Sequence, residues 1–256
     1  MKYVDEKDIT KLKKVNVSSW DSLKDNVYIR LMNKKNLSSY GDNIVHKNFL
    51  DLVMVFSVQE KSDNTIISHM LTTEELEKFN ITYDEVEDIA INNTTYDRKK
   101  RVLSFKENLL KSYMMYPVLE IEKGAMIGSG GKSSSDCGVI NDVYEKTNQK
   151  NILMIGNKYD IFGASYIVIP EILEEVYAKF KENFYVIPLS IHQVMCVREG
   201  YALKEGEKSY LEANDDLLDM IEDFNDSQNK SWKDILSYKI YHYLGDDGKR
   251  LHLINK

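Results

Sequence analysis

The chain has 256 residues, 43 % of them hydrophobic, and a formal net charge of −7 from 34 basic and 41 acidic residues. This length suits one large or two small domains, and the acidic balance argues against a broad phosphate-binding face for nucleic acid. No apolar run reaches the roughly 18 residues of a membrane span, and the N-terminus lacks the apolar segment of a secretory signal. Cys137 and Cys196 stand apart without a CxxC pair, which favours a reducing, cytoplasmic location.

The first half of the chain predicts strands and then capped helices. Residues 1–26 are polar, and Val27–Met32 is predicted to be a strand. Phe49–Val58 is a nearly continuous apolar run that contains one charge, and its Val and Phe content predicts a single strand. Ile66 and Ile67 indicate a brief partner strand.

Two helix starts are marked by capping boxes. Thr72 with Glu75, and Thr82 with Glu85, each place a hydroxyl three residues before a carboxylate. The second box is followed by apolar residues at helical spacing, so we expect a helix to begin after Thr82.

The most strongly patterned stretch runs from residue 151 to residue 197. Short apolar runs predict buried strands at Ile152–Ile155, Phe184–Ile187 and Val194–Val197. Between the first two, the apolar residues are Ala164, Ile167, Val168, Ile172, Val176 and Phe180, which recur every three or four residues apart from the adjacent pair 167 and 168, as in a helix. Pro170 either kinks one long helix or begins a second one. The order strand, helix, strand predicts a layered α/β unit.

The C-terminal part predicts a helix and a hairpin. Ser209–Asp226 has helical periodicity, with Leu211, Leu218, Ile221 and Phe224 expected to face inward. Tyr238–Leu244 and Leu251–Ile254 flank an Asp-Gly pair, which is a hairpin signal. We therefore predict an α/β or α+β fold: a mixed sheet with flanking helices and a C-terminal β-hairpin.

The domain organisation is predicted to be simple. We expect one domain over residues 1–256 that begins with a short polar segment. The Gly- and Ser-rich stretch 124–138 predicts a flexible insertion loop. Gly131–Lys132–Ser133 within it resembles the end of a phosphate-binding loop, but the first glycine of that motif is replaced by Met126, so a surface loop is the favoured interpretation.

A catalytic hypothesis centres on His192, which follows a predicted buried strand, where α/β sheets often place functional groups. His192 could be a base, Ser190 or Cys196 a nucleophile, and Asp51 or Asp160 the orienting carboxylate. However, Ser190 and His192 are two residues apart in one segment, which is not the usual triad arrangement. The favoured alternative is a serine and a histidine that satisfy backbone groups at a turn.

A second candidate site is the polar turn after the strand Ile152–Ile155. The candidates for binding a small ligand there are Asn157, Tyr159, Asp160 and Gly163. The 5 histidines show no HxxxH or HExxH spacing, so the sequence predicts no metal site, and no motif indicates a cofactor.

Several segments, in order between Asn26 and Leu244, resemble one family. They are Asn26–Asn33, Phe49–Leu52, Leu76–Asn80, Ala90–Thr94, Phe162–Ser165, Tyr185–Pro188 and Ser190–Val194. The chain resembles the uncharacterised proteins grouped as domain of unknown function 5688, which are common in gut Firmicutes and their mobile elements. The family more often has serine where this chain has Leu189, and glutamate where it has Gln193. The resemblance implies a soluble α/β bacterial or phage protein and no particular reaction.

Two function classes follow. The first is a binding or regulatory module that acts by contact with a host or phage protein, with interference with host defence as one role; the acidic charge and the absence of a complete catalytic set favour it. The second is a hydrolase-like enzyme that uses His192 with Ser190 or Cys196. The first is preferred, and the oligomeric state is not indicated by the sequence.

Overall fold

The structure is a computed structural model. It describes residues 2–5, 19–62, 65–96, 100–104, 120–121, 125–126, 151–157, 161–227, 234–245 and 248–254. Most of the predicted loop 124–138, including residues 131–133, lies outside these ranges, as does Cys137, so the flexible loop stays a prediction.

The first sheet is built from the N-terminal strands. Its members are β1 (Lys2–Asp5), β2 (Val27–Asn33), β3 (His46–Phe49), β4 (Leu52–Ser62) and β5 (Thr65–Met70). The order is β1–β5–β4–β2, and β3 pairs with the first residues of β4. All pairs are antiparallel except β1 with β5, which makes the sheet mixed.

The prediction of one strand over Phe49–Val58 is wrong. The chain reverses at Leu50 and Asp51, so Phe49 ends β3 and pairs with Leu52 at the start of β4. The apolar run is continuous across this turn because Leu50 occupies a turn position that normally takes glycine, so composition gives no sign of the reversal.

One short helix lies between strands of the first sheet and two helices follow the sheet, and both predicted capping boxes are confirmed. The elements are α1 (Trp20–Leu23), α2 (Thr73–Phe79) and α3 (Tyr83–Thr95), with 3₁₀ turns at Lys24–Asn26 and Lys34–Tyr40. Thr72 and Thr82 each accept a hydrogen bond from the backbone of the glutamate three residues later, whose carboxylate accepts one in return.

The second sheet contains the remaining long strands. They are β6 (Lys100–Ser104), β9 (Ile152–Asn157), β10 (Phe184–Pro188), β11 (Val194–Arg198), β12 (Ile240–Leu244) and β13 (Arg250–Ile254). The order is β13–β12–β10–β11–β9–β6, with every neighbouring pair antiparallel. β7 (Glu120–Ile121) and β8 (Ala125–Met126) form a separate small pair. The predicted C-terminal hairpin is confirmed as β12 and β13.

The predicted strand–helix–strand unit is confirmed, with one strand inserted. After β9 the chain forms a 3₁₀ segment, Gly163–Val168, and then α4 (Pro170–Phe180) before it enters β10. Pro170 is the first helical residue, so the second of the two alternatives for this proline is correct. β11 lies between β9 and β10, and since both pairings are antiparallel, β9 and β10 run in the same direction.

The second sheet is covered on both faces. Alternate residues Phe184 and Val186 join a core shared with the first sheet and α4, whereas Tyr185 and Ile187 pack with residues of α6 (Tyr210–Ser227). α5 (Glu199–Ala202) and a 3₁₀ turn at Lys204–Gly206 precede α6. One hydrophobic core therefore spans both sheets, and it supports the single-domain interpretation, which remains a prediction.

The helix predicted at Ser209–Asp226 is present as α6, but one inward residue is assigned wrongly. Leu211 is 71 % exposed, while Leu217, Leu218 and Ile221 are buried. Leu211 lies in the first turn of the helix. The side chain of Phe224 lies outside the described part of the structure. None of the helices in the described ranges is long and apolar enough to cross a membrane.

Candidate functional site

The predicted catalytic segment forms the turn between β10 and β11. The backbone N–H of Ser190 donates to the carbonyl of Gln193 over 3.2 Å. The Ser190 hydroxyl accepts a hydrogen bond from the backbone N–H of His192 over 3.1 Å. The serine oxygen is therefore engaged in the backbone of its own turn, which is the arrangement expected of a turn-forming serine.

The imidazole of His192 contacts the loop that follows β9. Its Nδ1 accepts a hydrogen bond from the backbone N–H of Phe162 over 3.1 Å, and the two rings lie 5.9 Å apart at 31°. Because Nδ1 is an acceptor, the neutral ring carries its proton on Nε2. Nε2 lies 3.8 Å from a carboxylate oxygen of Asp234, which is longer than a hydrogen bond.

The same loop comes into very close contact with the turn of His192. A Cβ on Gly163 would lie 2.5 Å from the carbonyl oxygen of His192 and 2.7 Å from Cα of Gly156. The N–H of Ala164 also donates to the carbonyl of Ile191 over 3.3 Å. The candidate ligand-binding residue Gly163 is therefore a site of close backbone packing, where any side chain would collide with main-chain atoms.

Asn157 closes the loop in which the second candidate site was predicted. Its side-chain amide donates to the carbonyl of Ile161, and its side-chain oxygen accepts from the N–H of Ile161 over 3.3 Å. Asn157 is itself buried. Tyr159 and Asp160 lie outside the described residues, so their part in a ligand site stays a prediction.

Cys196 lies in the middle of β11 and is completely buried in the shared core. Burial raises the pKa of its thiol far above the ordinary value of 9.0. The nucleophilic form of cysteine is the thiolate, so this thiol is inert at neutral pH.

Asp51 does not orient His192, which is the role that the catalytic hypothesis predicts for it. Its two carboxylate oxygens accept hydrogen bonds from the hydroxyls of Ser237 (2.7 Å) and Tyr241 (2.8 Å). Asp51 lies in the turn between β3 and β4, whereas Tyr241 lies in β12. The carboxylate thus connects the two sheets, and the described carboxylate beside His192 is Asp234 instead.

Arg30 is a buried charge that the sequence reasoning did not single out. It lies in β2 and is only 1 % exposed. Its guanidinium carbon is 4.3 Å from the ring centroid of Phe162 and 5.6 Å from that of Tyr40. Both rings are within the range of cation–π attraction. The available signal was one arginine inside an otherwise apolar strand.

Phe162 also lines a small polar cavity that includes Asn157, Ser165 and Thr94. Its volume is about 20 Å³, which is enough for about one water molecule. A cavity of this size is too small for an organic substrate. It therefore does not provide a substrate site beside His192.

A larger concave surface lies elsewhere, and we call it the β13 groove. It is open to solvent and has a volume of about 470 Å³. Its walls are formed by the β3–β4 turn, the start of α4 and the outer strand β13. The residues that line it are Asn48, Phe49, Leu50, Ile167, Val168, Pro170, Leu173, Lys249, Arg250, Leu251 and His252. These described lining residues include apolar and basic side chains but no aspartate or glutamate.

The described residues do not form a complete set of catalytic groups. Ser190, His192 and Asp234 are close together, but the serine oxygen accepts a backbone N–H and the carboxylate is beyond hydrogen-bond reach. Within the described ranges no group of three or more His, Cys, Asp or Glu side chains is arranged to hold a metal ion.

Residues 1–244 match the sequence profile of the family of unknown function DUF5688. The chain belongs to this family. The match confirms the family that the resemblance indicated and extends it to the N-terminus, while the Firmicutes or phage origin stays a prediction. No curated protein and no solved structure matches the chain.

In this DUF5688 protein the predicted site residues that the structure describes fall into three separate environments. Ser190, His192, Asn157 and Gly163 meet at one corner of the second sheet, through contacts that involve backbone atoms. Cys196 is in the core, and Asp51 is at the junction of the two sheets. The sequence does not reveal the β13 groove, because its walls come from three segments that are distant along the chain.

Proposed function

We propose that this protein is a binding module that acts by contact with another protein, and that the β13 groove is its contact surface. The observation that carries the proposal is the conformation of Leu50. This residue is the first of two in the β3–β4 turn and has a φ of 55°. The turn has positive φ at its first central residue only, as in a type II′ turn, where glycine is preferred.

Leucine at this position costs stability without filling the core. A non-glycine residue in the left-handed region is disfavoured by about 1–2 kcal/mol. The Leu50 side chain is 40 % exposed and lies in the wall of the groove. Strained residues that are kept in this way are concentrated at ligand-binding and switch positions. An exposed leucine in a concave apolar surface fits a protein contact best.

The family resemblance is the basis for two finer parts of this proposal. They are a host or phage protein as the partner, and interference with host defence as the role. The hydrolase alternative has one observation in its favour, the proximity of His192 and Asp234, and it needs a nucleophile that the described contacts do not supply.

The test separates strain from contact at residue 50. Leu50→Gly removes both the side chain and the strain, whereas Leu50→Ala removes most of the side chain and keeps the strain. A protein that the wild-type chain retains from a cell lysate is purified, and its pairwise affinity is measured. We expect both variants to bind about 10- to 100-fold more weakly, since a buried leucine contributes about 1.5–3 kcal/mol.

Leu211→Ala is the matched control, because Leu211 is an exposed leucine of α6 outside the groove. It should leave the affinity unchanged. We also expect Leu50→Gly to have a melting temperature at least as high as that of Leu50→Ala. A partner whose affinity is the same for wild type and both Leu50 variants would contradict the proposal.

A further inference from the structure

Among the described strands, none pairs with the outer edge of β13, and this edge forms part of the wall of the groove. Among the described strands β13 pairs only with β12, and no described residue forms a backbone hydrogen bond with its other side. In an antiparallel sheet, alternate residues of an edge strand direct their N–H and C=O groups outward. Four consecutive residues, Lys249–His252, line the groove, so the groove follows the edge of the strand.

We propose that β13 binds an extended acidic segment of the partner protein as an additional strand. The proposal rests on the proposed function, because it places the partner in the same groove. Addition of a strand gains affinity from main-chain hydrogen bonds and selectivity from alternate side chains.

The charge of the groove selects an acidic occupant. Among the residues that the structure describes, Lys249, Arg250 and His252 line the groove and no carboxylate does, in a chain whose net charge is −7. Lys249 is paired with Glu174 over 3.0 Å, whereas no described residue forms an ion pair with Arg250. Pro170, the first residue of α4, is also in the wall, so the positive end of that helix dipole points to the same region.

The alternation of side chains along β13 predicts which residue types alternate in the bound segment. Arg250 and His252 are exposed and lie on one face of the strand, while Leu251 and Leu253 lie on the other and pack against the shared core. An added strand should therefore place acidic residues beside Arg250 and His252, and apolar residues on the side of Leu251 and Leu50. A second copy of this chain would bring a second Lys249 and Arg250 to the edge, so like charges oppose self-pairing.

The test uses synthetic peptides and the full chain. The acidic peptide has about eight residues that alternate glutamate with valine or isoleucine, since this is about the length of a strand. One comparison peptide has lysine in place of glutamate, and another is the acidic peptide with alternate amides N-methylated to block pairing. Binding is followed by fluorescence anisotropy, and the binding site by amide shifts in NMR spectra.

We expect the acidic peptide to bind, with shifts concentrated in β13, and both comparison peptides to bind at least about 10-fold more weakly. Arg250→Glu with His252→Glu should weaken binding by a similar factor, and rising salt should weaken it further. Lys35→Glu is the control, because Lys35 is an exposed lysine outside the groove and its replacement changes the net charge in the same direction.

Three results would overturn the proposal. Equal binding of the acidic and lysine peptides would contradict the charge selection. Equal binding of the N-methylated peptide would contradict strand addition. If the wild-type protein self-associates and the double variant Arg250→Glu, His252→Glu alters this self-association, the edge binds a second copy of the chain instead.

The two proposals fail in different ways. If a partner binds in a Leu50-dependent manner but no acidic peptide binds, strand addition is wrong and the contact function stands. If no partner depends on Leu50 and no peptide binds, both proposals fail.

Discussion

The backbone N–H of Phe162 lies 3.1 Å from Nδ1 of His192 and donates a hydrogen bond to it. Phe162 has a φ of 54°, so this bond holds a strained residue of the loop after β9 against the turn between β10 and β11. The imidazole acts as a backbone acceptor that joins two loops. The histidine that looks most catalytic in the sequence thus has a structural role in the folded chain.

The first prediction concerns this histidine. His192→Ala should lower the free energy of unfolding by about 1–3 kcal/mol, because a buried N–H loses its acceptor. Urea unfolding measures the change. His252→Ala is the matched control, since His252 is exposed, and it should change stability by less than about 0.5 kcal/mol. Hydrolysis of an ester, peptide or phosphoester substrate that disappears in a fully stable His192→Ala protein would support the enzyme alternative instead.

The second prediction compares two glycines at the same corner. Gly163→Ala should destabilise the protein by about 1–3 kcal/mol or more, because the new Cβ meets the His192 carbonyl and Gly156 at 2.5 and 2.7 Å. Gly156→Ala should cost less, since its nearest neighbour would be the Gln193 side chain at 3.6 Å. Thermal unfolding of both variants tests the order. A Gly163→Ala protein as stable as Gly156→Ala would show that the loop can move away.

The third prediction concerns the connection between the two sheets. Tyr241 donates to Asp51 over 2.8 Å, and its pKa is raised well above the ordinary value by burial and then by the Asp51 charge, so the phenol stays protonated. Tyr241→Phe should lower the free energy of unfolding by about 1.5–3 kcal/mol, as expected for a hydrogen bond to a charged group.

Tyr238→Phe provides the control for this pair. Tyr238 is 40 % exposed, and its hydroxyl donates to Asp226 over 3.3 Å, so its loss should cost less than about 0.5 kcal/mol. In a double-mutant cycle, Asp51→Asn and Tyr241→Phe should show a coupling of about 1–3 kcal/mol. Strict additivity would mean that the contact contributes nothing to stability.

The sequence is informative where the causes of structure are local. Both capping boxes depend on a hydroxyl and a carboxylate three residues apart, and Pro170 begins a helix because its missing N–H is not needed there. The apolar runs that became β9, β10 and β11 have the length and composition of buried strands.

Features that depend on distant residues, or on a turn without the usual turn residues, could not be predicted from the sequence. The strand β11 lies between β9 and β10, and an apolar run does not specify its neighbours. The Leu50 turn has no glycine or proline to mark it. The bonds from His192 to Phe162 and from Asp51 to Tyr241 span 30 and 190 residues of sequence, so spacing could not reveal them.

The last prediction is a pH dependence that arises at the start of α2. Both carboxylate oxygens of Glu75 lie within 2.9 Å of Nε2 of His69, and the backbone N–H of Thr72 donates to one of them over 2.9 Å. Burial raises the pKa of Glu75, but the hydrogen bonds from His69 and Thr72 outweigh it, so the pKa is lowered from 4.5. The contribution of this group to stability is therefore complete above about pH 4.5 and is lost as the pH falls through the lowered pKa.

Glu75→Gln should remove this contribution. We expect a loss of about 1–2 kcal/mol at pH 7, because charge-assisted hydrogen bonds are replaced by neutral ones. The variant should also lose less stability than the wild type when urea unfolding is repeated below pH 4.5. Glu85→Gln is the matched control, because Glu85 occupies the same position in the second capping box but is exposed to solvent. An equal loss in the two variants would show that the cap alone, and not the partly buried contact with His69, determines the effect.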